Sequence, residues 1–420
     1  MLLAYGSSTS SVPRYRRLIG AQWTDAGDVL IGGTDTIYWL ELEGCPIRKE
    51  LVAGTIDGVN EIKVAVYDGT TWVNAVPFGH GDRMYKCFDI AYESQSGNAL
   101  IVGRDGTDTP LYYNIWDGTS WAFANPQSAF SLPGGNVHDV VMASQPGGNE
   151  ILIAVVTSWD EIQLVQWNGS TFNDLGTIEG TTARNDFRMV EVIYEHQSGD
   201  AMVVWSRNGD SALKYRIWNG VTLGSEGSLP DFGGNENYVI RGAADSDPTS
   251  DCIVVAAIDN FYDISVAVWD GDAWIDFREI ETAASTNLAL SFDVTWEASG
   301  QDVIIAWAPW STTNVRYLVW QKGTALADST VLDGPDLQAT LWLVRLLPIS
   351  GSEKIILLSE NNSSVLRYCL WTGNQFKGDP GILLEPDVAV QNDVAFDLTE
   401  ANVPRTGGTG TGVSVNLAPV

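Results

Sequence analysis

One feature constrains this chain more than any other: an aromatic residue followed by a tight turn recurs from end to end at a nearly fixed interval. The copies read VAVYDGTTW, YYNIWDGTSW, LVQWNGSTF, YRIWNGVTL, VAVWDGDAW, YLVWQKGTAL and YCLWTGNQF. Their leading rings are Tyr67, Trp116, Trp167, Trp218, Trp269, Trp320 and Trp371, so the successive differences are 49 and then 51 five times. A length of 420 residues would by itself suggest two or three domains, but a repeat running through the whole chain overrides that expectation. A period of this size, with several short strands per copy, suits a propeller blade: four antiparallel strands that can bury their faces only against neighbouring blades.

Strands within one copy follow from alternation and turn chemistry. In the third blade CFDIAYE (87–93) is the innermost strand, SQSGN turns into ALIVG (99–103), LYYNIW (111–116) follows, and Trp121 opens the outer strand. The Asp-Gly and Asn-Gly pairs predict type I′ hairpins, with positive φ at both central residues. Rings before and after each turn lie on paired strands and are expected in the core between blades. The alternative keeps Trp72, Trp121 and Trp274 exposed at the blade rim, where they would stack on sugar faces as ligand-binding residues.

The two ends complete each other. MLLAY matches ALIVG, and VPRYRRLIGAQW matches TPLYYNIWDGTSW, with Trp23 lying 49 residues before Trp72 and Trp72 lying 49 before Trp121. From Trp116 to His138 is 22 residues, and the same step from Trp371 lands on Asp393, at the start of DVAFDLTE. The fold class expected is therefore all-β, an eight-bladed β-propeller with velcro closure by both termini, which hides sheet edges. Seven blades with loose ends is the alternative. A single propeller is expected over residues 1–400, with the Gly/Thr-rich stretch 401–420 as a tail, a linker or an extra edge strand.

Charge narrows the partners. With 53 Asp plus Glu against 23 Lys plus Arg, the formal charge of −30 disfavours nucleic acid and anionic lipid. Such acidity suits cation binding, a salty or calcium-rich exterior, or solubility, and the scarcity of lysine favours a halophilic or extracellular setting; the expected location is extracellular or at the cell surface. No apolar run reaches membrane-span length, so no membrane insertion is expected, and MLLAYGSSTS lacks the basic and apolar regions of an export signal. Cys45, Cys87, Cys252 and Cys369 lack CxxC spacing and read as buried free thiols, while His80, His138 and His196 are too scattered for a metal cluster.

No GxSxG elbow, P-loop, HExxH or dinucleotide fingerprint is present, so the chain reads as a non-enzyme, although paired carboxylates for glycoside hydrolysis stay open. One acidic constellation stands out: Glu41, Asp89, Asp139, Glu191, Asp293 and Asp397, on the inner strands of six blades. Pointing into a central channel, they would form a carboxylate ring relieved by water, by Ca²⁺ or by raised pKa values. Arg188, Arg241 and Arg345 on the same class of strand offer internal ion pairing instead. The Asp-rich loops 105–108 and 245–251 read as calcium loops or, more plainly, as turns.

On these residues the chain resembles kelch-like and other β-propellers, and most closely the tandem W-[DN]-G-x-x-W repeats of prokaryotic surface and secreted proteins. The resemblance implies a blade and leaves the ligand open. The sialidase Asp-box spaces Asp from Gly, whereas here they are adjacent, as in Asp270-Gly271; quinoprotein dehydrogenase and WD40 signatures also fail to match. The expected function is a non-catalytic binding or adhesion module for a protein or glycan. Alternatives are a self-assembling structural subunit of a surface filament and a polysaccharide-acting enzyme.

Overall fold

The computed structural model describes residues 1–7, 10–19, 22–32, 35–106, 110–180, 189–230, 239–285, 291–310, 312–386, 388 and 396–399. The chain is an all-β, eight-bladed β-propeller, and the one helical element among the described residues is the 3-10 turn Leu326–Asp328. Blades 2 to 8 are four-stranded sheets laid down in chain order, and their first strands start at Ile37, Phe88, Val137, Val190, Val239, Phe292 and Leu341. Blade 1 holds Leu2–Ser7, Ser10–Ile19, two short outer pieces and the last described strand, Phe396–Thr399. There Leu2 pairs with Thr399 and Tyr5 with Phe396, antiparallel, so the two ends share a blade as the split copy predicted. Residues 401–420 lie outside the described residues.

Two compact units divide the chain. One, Met1–Thr181 with the strand Phe396–Thr399, contains blades 1 to 4; the other, Thr182–Pro386, contains blades 5 to 8. Within each unit the first strands of successive blades lie side by side.

Packing explains why the middle strands read as unbroken apolar runs. In blade 6, Val254, Ala256 and Ile258 point toward Phe292, Val294 and Trp296 of blade 7. The intervening Ile253, Val255 and Ala257 point the other way, toward Ile193, Met202 and Val204 of blade 5. A strand alternates its side chains between two faces, and here both faces are covered, so no position is left for water. The four cysteines are free and buried. Burial pushes the thiols of Cys87, Cys252 and Cys369 up to about 12.

The aromatic-turn motif closes differently from the expected type I′ hairpin. Tyr67 pairs with Trp72 across a four-residue connection in which the Asp68 N–H donates to the Thr71 carbonyl at 3.1 Å. Only the glycine takes positive φ, at 92° for Gly69 and 93° for Gly118. Asp68 is needed for its side chain: Oδ1 accepts from the Thr70 hydroxyl at 2.6 Å and from the N–H groups of Thr70 and Thr71, both at 2.8 Å, and these bonds hold its carboxyl below the usual range.

Blades alternate in build. The first strands of blades 2, 4, 6 and 8 have eight residues and a bulge near their start, while those of blades 3, 5 and 7 have five and no bulge. Blade 2 holds blade 3 through Glu50, which accepts from Trp116 Nε1 at 3.2 Å, and odd blades clamp their successors through the glutamate that follows the short first strand. The Trp167 indole N–H of blade 4 donates to Glu93 of blade 3 at 2.7 Å, Trp269 to Glu195 at 2.7 Å and Trp371 to Glu297 at 2.7 Å. The other carboxylate oxygen accepts from Ser96, Ser198 or Ser299 two or three residues on. The structural period is thus two blades.

Candidate functional site

The same alternation builds a repeated display turn between the second and third strands of even blades. Its sequences are Asp57-Gly58-Val59-Asn60-Glu61, Thr157-Ser158-Trp159-Asp160-Glu161, Asp259-Asn260-Phe261-Tyr262-Asp263 and Asn361-Asn362-Ser363-Ser364-Val365. The first side chain is buried in each case. It accepts from the N–H of the third residue: Val59 at 3.1 Å, Trp159 at 3.3 Å, Phe261 at 2.8 Å and Ser363 at 3.0 Å. The fourth residue is left-handed, with φ of 68° at Asn60, 61° at Asp160, 69° at Tyr262 and 58° at Ser364. With the backbone fixed on both sides, the third side chain is thrust outward.

Three of these four outward side chains are apolar: Val59 is 50% exposed, Trp159 64% and Phe261 58%. Trp310, 54% exposed, joins them at the same end of blade 7, in the loop between its second and third strands. Hydration opposes exposing rings of this size, and folding gains nothing by it. The Trp159 ring also has a made-to-fit support, because a Cβ at Gly134 would sit 1.9 Å from its Cζ3. The loop is fastened there by the Ser158 N–H to the Asn136 carbonyl at 2.8 Å and the Asn136 N–H to Ser158 Oγ at 2.9 Å.

In the second unit Phe261 and Trp310 flank the crossover from blade 6 to blade 7. The Ala284 N–H donates to the Tyr262 carbonyl at 2.9 Å and the Trp310 N–H to the Ala283 carbonyl at 2.8 Å, so both loops are zipped to one strap. Beneath them Asp263 is pushed up to about 6, by desolvation first and then by Asp259, Glu279 and Glu281. Glu281 stays below the usual range although burial opposes it, because Trp307 Nε1 and Arg316 Nη1 each donate to it at 2.9 Å.

The rings singled out in the sequence lie elsewhere. Trp72 is 4% exposed, edge-on to Tyr15 at 5.7 Å and tilted against Tyr67 at 5.3 Å, so its face is not open to a ligand. Trp274 is half-buried against Tyr215 and Trp269. Trp121, also half-buried, tilts against Trp116 at 5.4 Å and donates from Nε1 to the Asn74 carbonyl at 2.8 Å. All three belong to the interblade packing rather than to a common site.

The acidic set is largely engaged by protein. Lys86, itself buried, places Nζ 3.1 Å from Glu41 and 3.2 Å from Asp89. Asp89 Oδ2 accepts from the Met142 N–H of the next blade at 2.8 Å, and Asp293 Oδ2 from the Leu346 N–H at 2.8 Å, which makes each a staple between first strands. Asp139 and Glu191 are buried with partners of their own, and the side chain of Asp397 lies outside the described residues. Asp247 of the 245–251 loop is held by Lys322. Oxygens already taken by an ammonium group and by backbone N–H groups do not fit a hard cation such as Ca²⁺. Among the described residues no group of three or more His, Cys, Asp or Glu is placed to hold a metal.

No protein-family model matches the chain, and no curated protein does. Solved structures do. The BP39L lectin from Burkholderia pseudomallei aligns at TM-score 0.59 and 13% identity, over 82% of this chain and 99% of its own. The six-bladed lectin of Aleuria aurantia aligns at TM-score 0.40 and 11% identity, over 82% and 94%. The β-propeller domain of the trilobed protease from Pyrococcus furiosus does so at 0.45 and 10%, over 80% and 96%. At these identities the likeness is one of fold. It is a propeller built from repeated blades.

A sequence signal for the exposed rings existed: Trp159 and Phe261 are 102 residues apart, two blades, and each sits two residues after a buried polar anchor.

Proposed function

We propose that this chain is a non-catalytic module that binds a glycan outside the cell or at its surface, through rings held at the loop end of its blades. The observation that carries the reading is Trp159: a ring largely in solvent, on a turn fixed by Thr157 and Asp160, backed by a glycine that makes room for it. A pre-positioned aromatic offers an apolar face at low entropic cost, which suits the C–H face of a pyranose. The charge of −30 favours neutral over acidic glycans. The fold it shares with the BP39L lectin is in keeping with this reading. Binding to a glycan array, compared among the parent chain and Trp159→Ala, Phe261→Ala and Trp310→Ala, tests it. Retained folding with binding weakened roughly ten-fold or more in at least one variant is expected. No glycan bound, or binding indifferent to all three substitutions, would overturn the reading in favour of a protein ligand or a structural role.

A further inference from the structure

Blade 7 departs from the repeat at the end opposite the display loops. In blades 2 to 6 and 8 four residues separate the ring near the end of the third strand from the residue paired with it after the turn, as in Asp270–Ala273; in blade 7 ten residues, Gln321–Thr330, separate Trp320 from Val331, where the fourth strand starts. No ring follows the turn. Leu326, fully buried at the head of the 3-10 turn, plugs the core instead, and Trp320 donates from Nε1 to the Thr324 carbonyl at 3.0 Å. Blade 6 grips this insertion. Arg278 donates to the carbonyls of Leu326 at 2.8 Å and Ser329 at 2.6 Å, Asp276 accepts the Leu326 N–H at 2.5 Å, and Lys322 reaches Asp247 and Ser250.

Six sibling turns do without these residues, so the fold does not require the insertion. What it adds is a depression of about 360 Å³, lined by Val319, Gln321, Thr324, Asp328, Ser329 and Thr330. That volume is at the low end for small-ligand sites. Five of the six side chains are polar, the sixth gives a small apolar floor, and none is basic. Hydroxyl, amide and carboxylate groups supply donors and acceptors together, which suits a neutral polyol and disfavours phosphate or carboxylate ligands.

We propose that the blade 7 hairpin is a second binding site, sized for one neutral sugar residue and independent of the exposed rings at the other end of the blades. The probes are methyl α-D-mannoside, methyl β-D-galactoside and methyl α-L-fucoside, titrated into the full chain carrying Trp159→Ala, Phe261→Ala and Trp310→Ala while backbone amide resonances are followed. Saturable shifts confined to Gln321, Thr324, Ser329 and Thr330 are expected for at least one probe, with a dissociation constant of the order of 1 mM. Replacing Gln321–Thr330 by Asp-Gly-Asp-Ala should abolish them. Because that exchange also removes Leu326, Thr330→Arg at an exposed position serves as a second block that leaves the core alone and should weaken binding at least about ten-fold. No saturable shift with any probe, or shifts that persist in Thr330→Arg, would overturn the proposal. The ring variants leave this hairpin untouched, so its failure is separable from failure of the site at the loop end.

Discussion

Odd and even blades share one architecture and divide its labour. An odd blade ends its short first strand in a glutamate that receives an indole N–H from the next blade, whereas an even blade uses its longer strand and anchored turn to raise a side chain into solvent. The bonds from an indole to the glutamate after a short first strand thus join blades 3 and 4, 5 and 6, and 7 and 8, and the anchored turns lie on even blades, with Trp310 of blade 7 an exposed ring outside that scheme. The two roles call for opposite treatment of an aromatic ring: Trp371 is sealed and hydrogen-bonded, Trp159 bare.

The largest break in this scheme should come from Trp371→Ala, which deletes a buried ring, opens a cavity beside Tyr317 and Phe376, and leaves Glu297 short of a donor. A loss of about 3–5 kcal/mol is expected for such a truncation. Trp371→Phe keeps most of the volume and should lose about 1–3 kcal/mol, the part owed to the orphaned carboxylate. Urea unfolding of the two variants separates these contributions, and a Trp371→Phe chain as stable as the parent would mean that the indole–glutamate bond contributes nothing.

A gain should follow from repairing blade 8. Glu360 pairs across from Leu343 in the register that gives Ile56, Val156 and Ile258 to the sibling blades, all buried. Its Oε1 has no hydrogen-bond partner, and burial pushes the carboxyl up to about 8. A folded-state pKa raised above the unfolded value means that its contribution is intact below about pH 4.5 and is lost as pH climbs through about 8. Glu360→Ile should therefore stabilise by about 1–3 kcal/mol, with a wider margin at pH 9 than at pH 6. Asp245, raised to about 7, and Asp293, to about 6, both chiefly by burial, would leave a shallower decline in the variant. A margin that narrows with rising pH would show Glu360 to be paired after all.

How much of this was legible in the sequence depends on what is repeated. Ring spacing gave the blade, and the split copy gave the shared blade 1, because every blade must meet the same packing demand. The two-blade period was also written there, in Glu93, Glu195 and Glu297 at intervals of 102, but the 51-residue spacing of the rings obscured it. Whether a given ring is bare is a different kind of fact. Trp72 and Trp159 are the same residue in the same protein, and what separates them is the company of Tyr15 and Tyr67 in one case and of a glycine in the other. Tyr15 and Gly134 are both distant in sequence from the rings they meet.

The smallest expected change in stability sharpens the comparison most. Trp159→Ala removes a ring that is 64% exposed, so the fold should lose no more than about 0.5 kcal/mol, against several for Trp371→Ala. Gly134→Ala goes further, since it leaves the indole in place and takes away its seat: a Cβ 1.9 Å from Cζ3 must displace the ring. If Trp159 is held for a ligand, Gly134→Ala should lower glycan binding nearly as much as Trp159→Ala does, while urea midpoints stay close to the parent's. Binding lost in Trp159→Ala but kept in Gly134→Ala would mean that the ring is recognised in whatever pose it takes, and that its support in blade 4 is packing and nothing more.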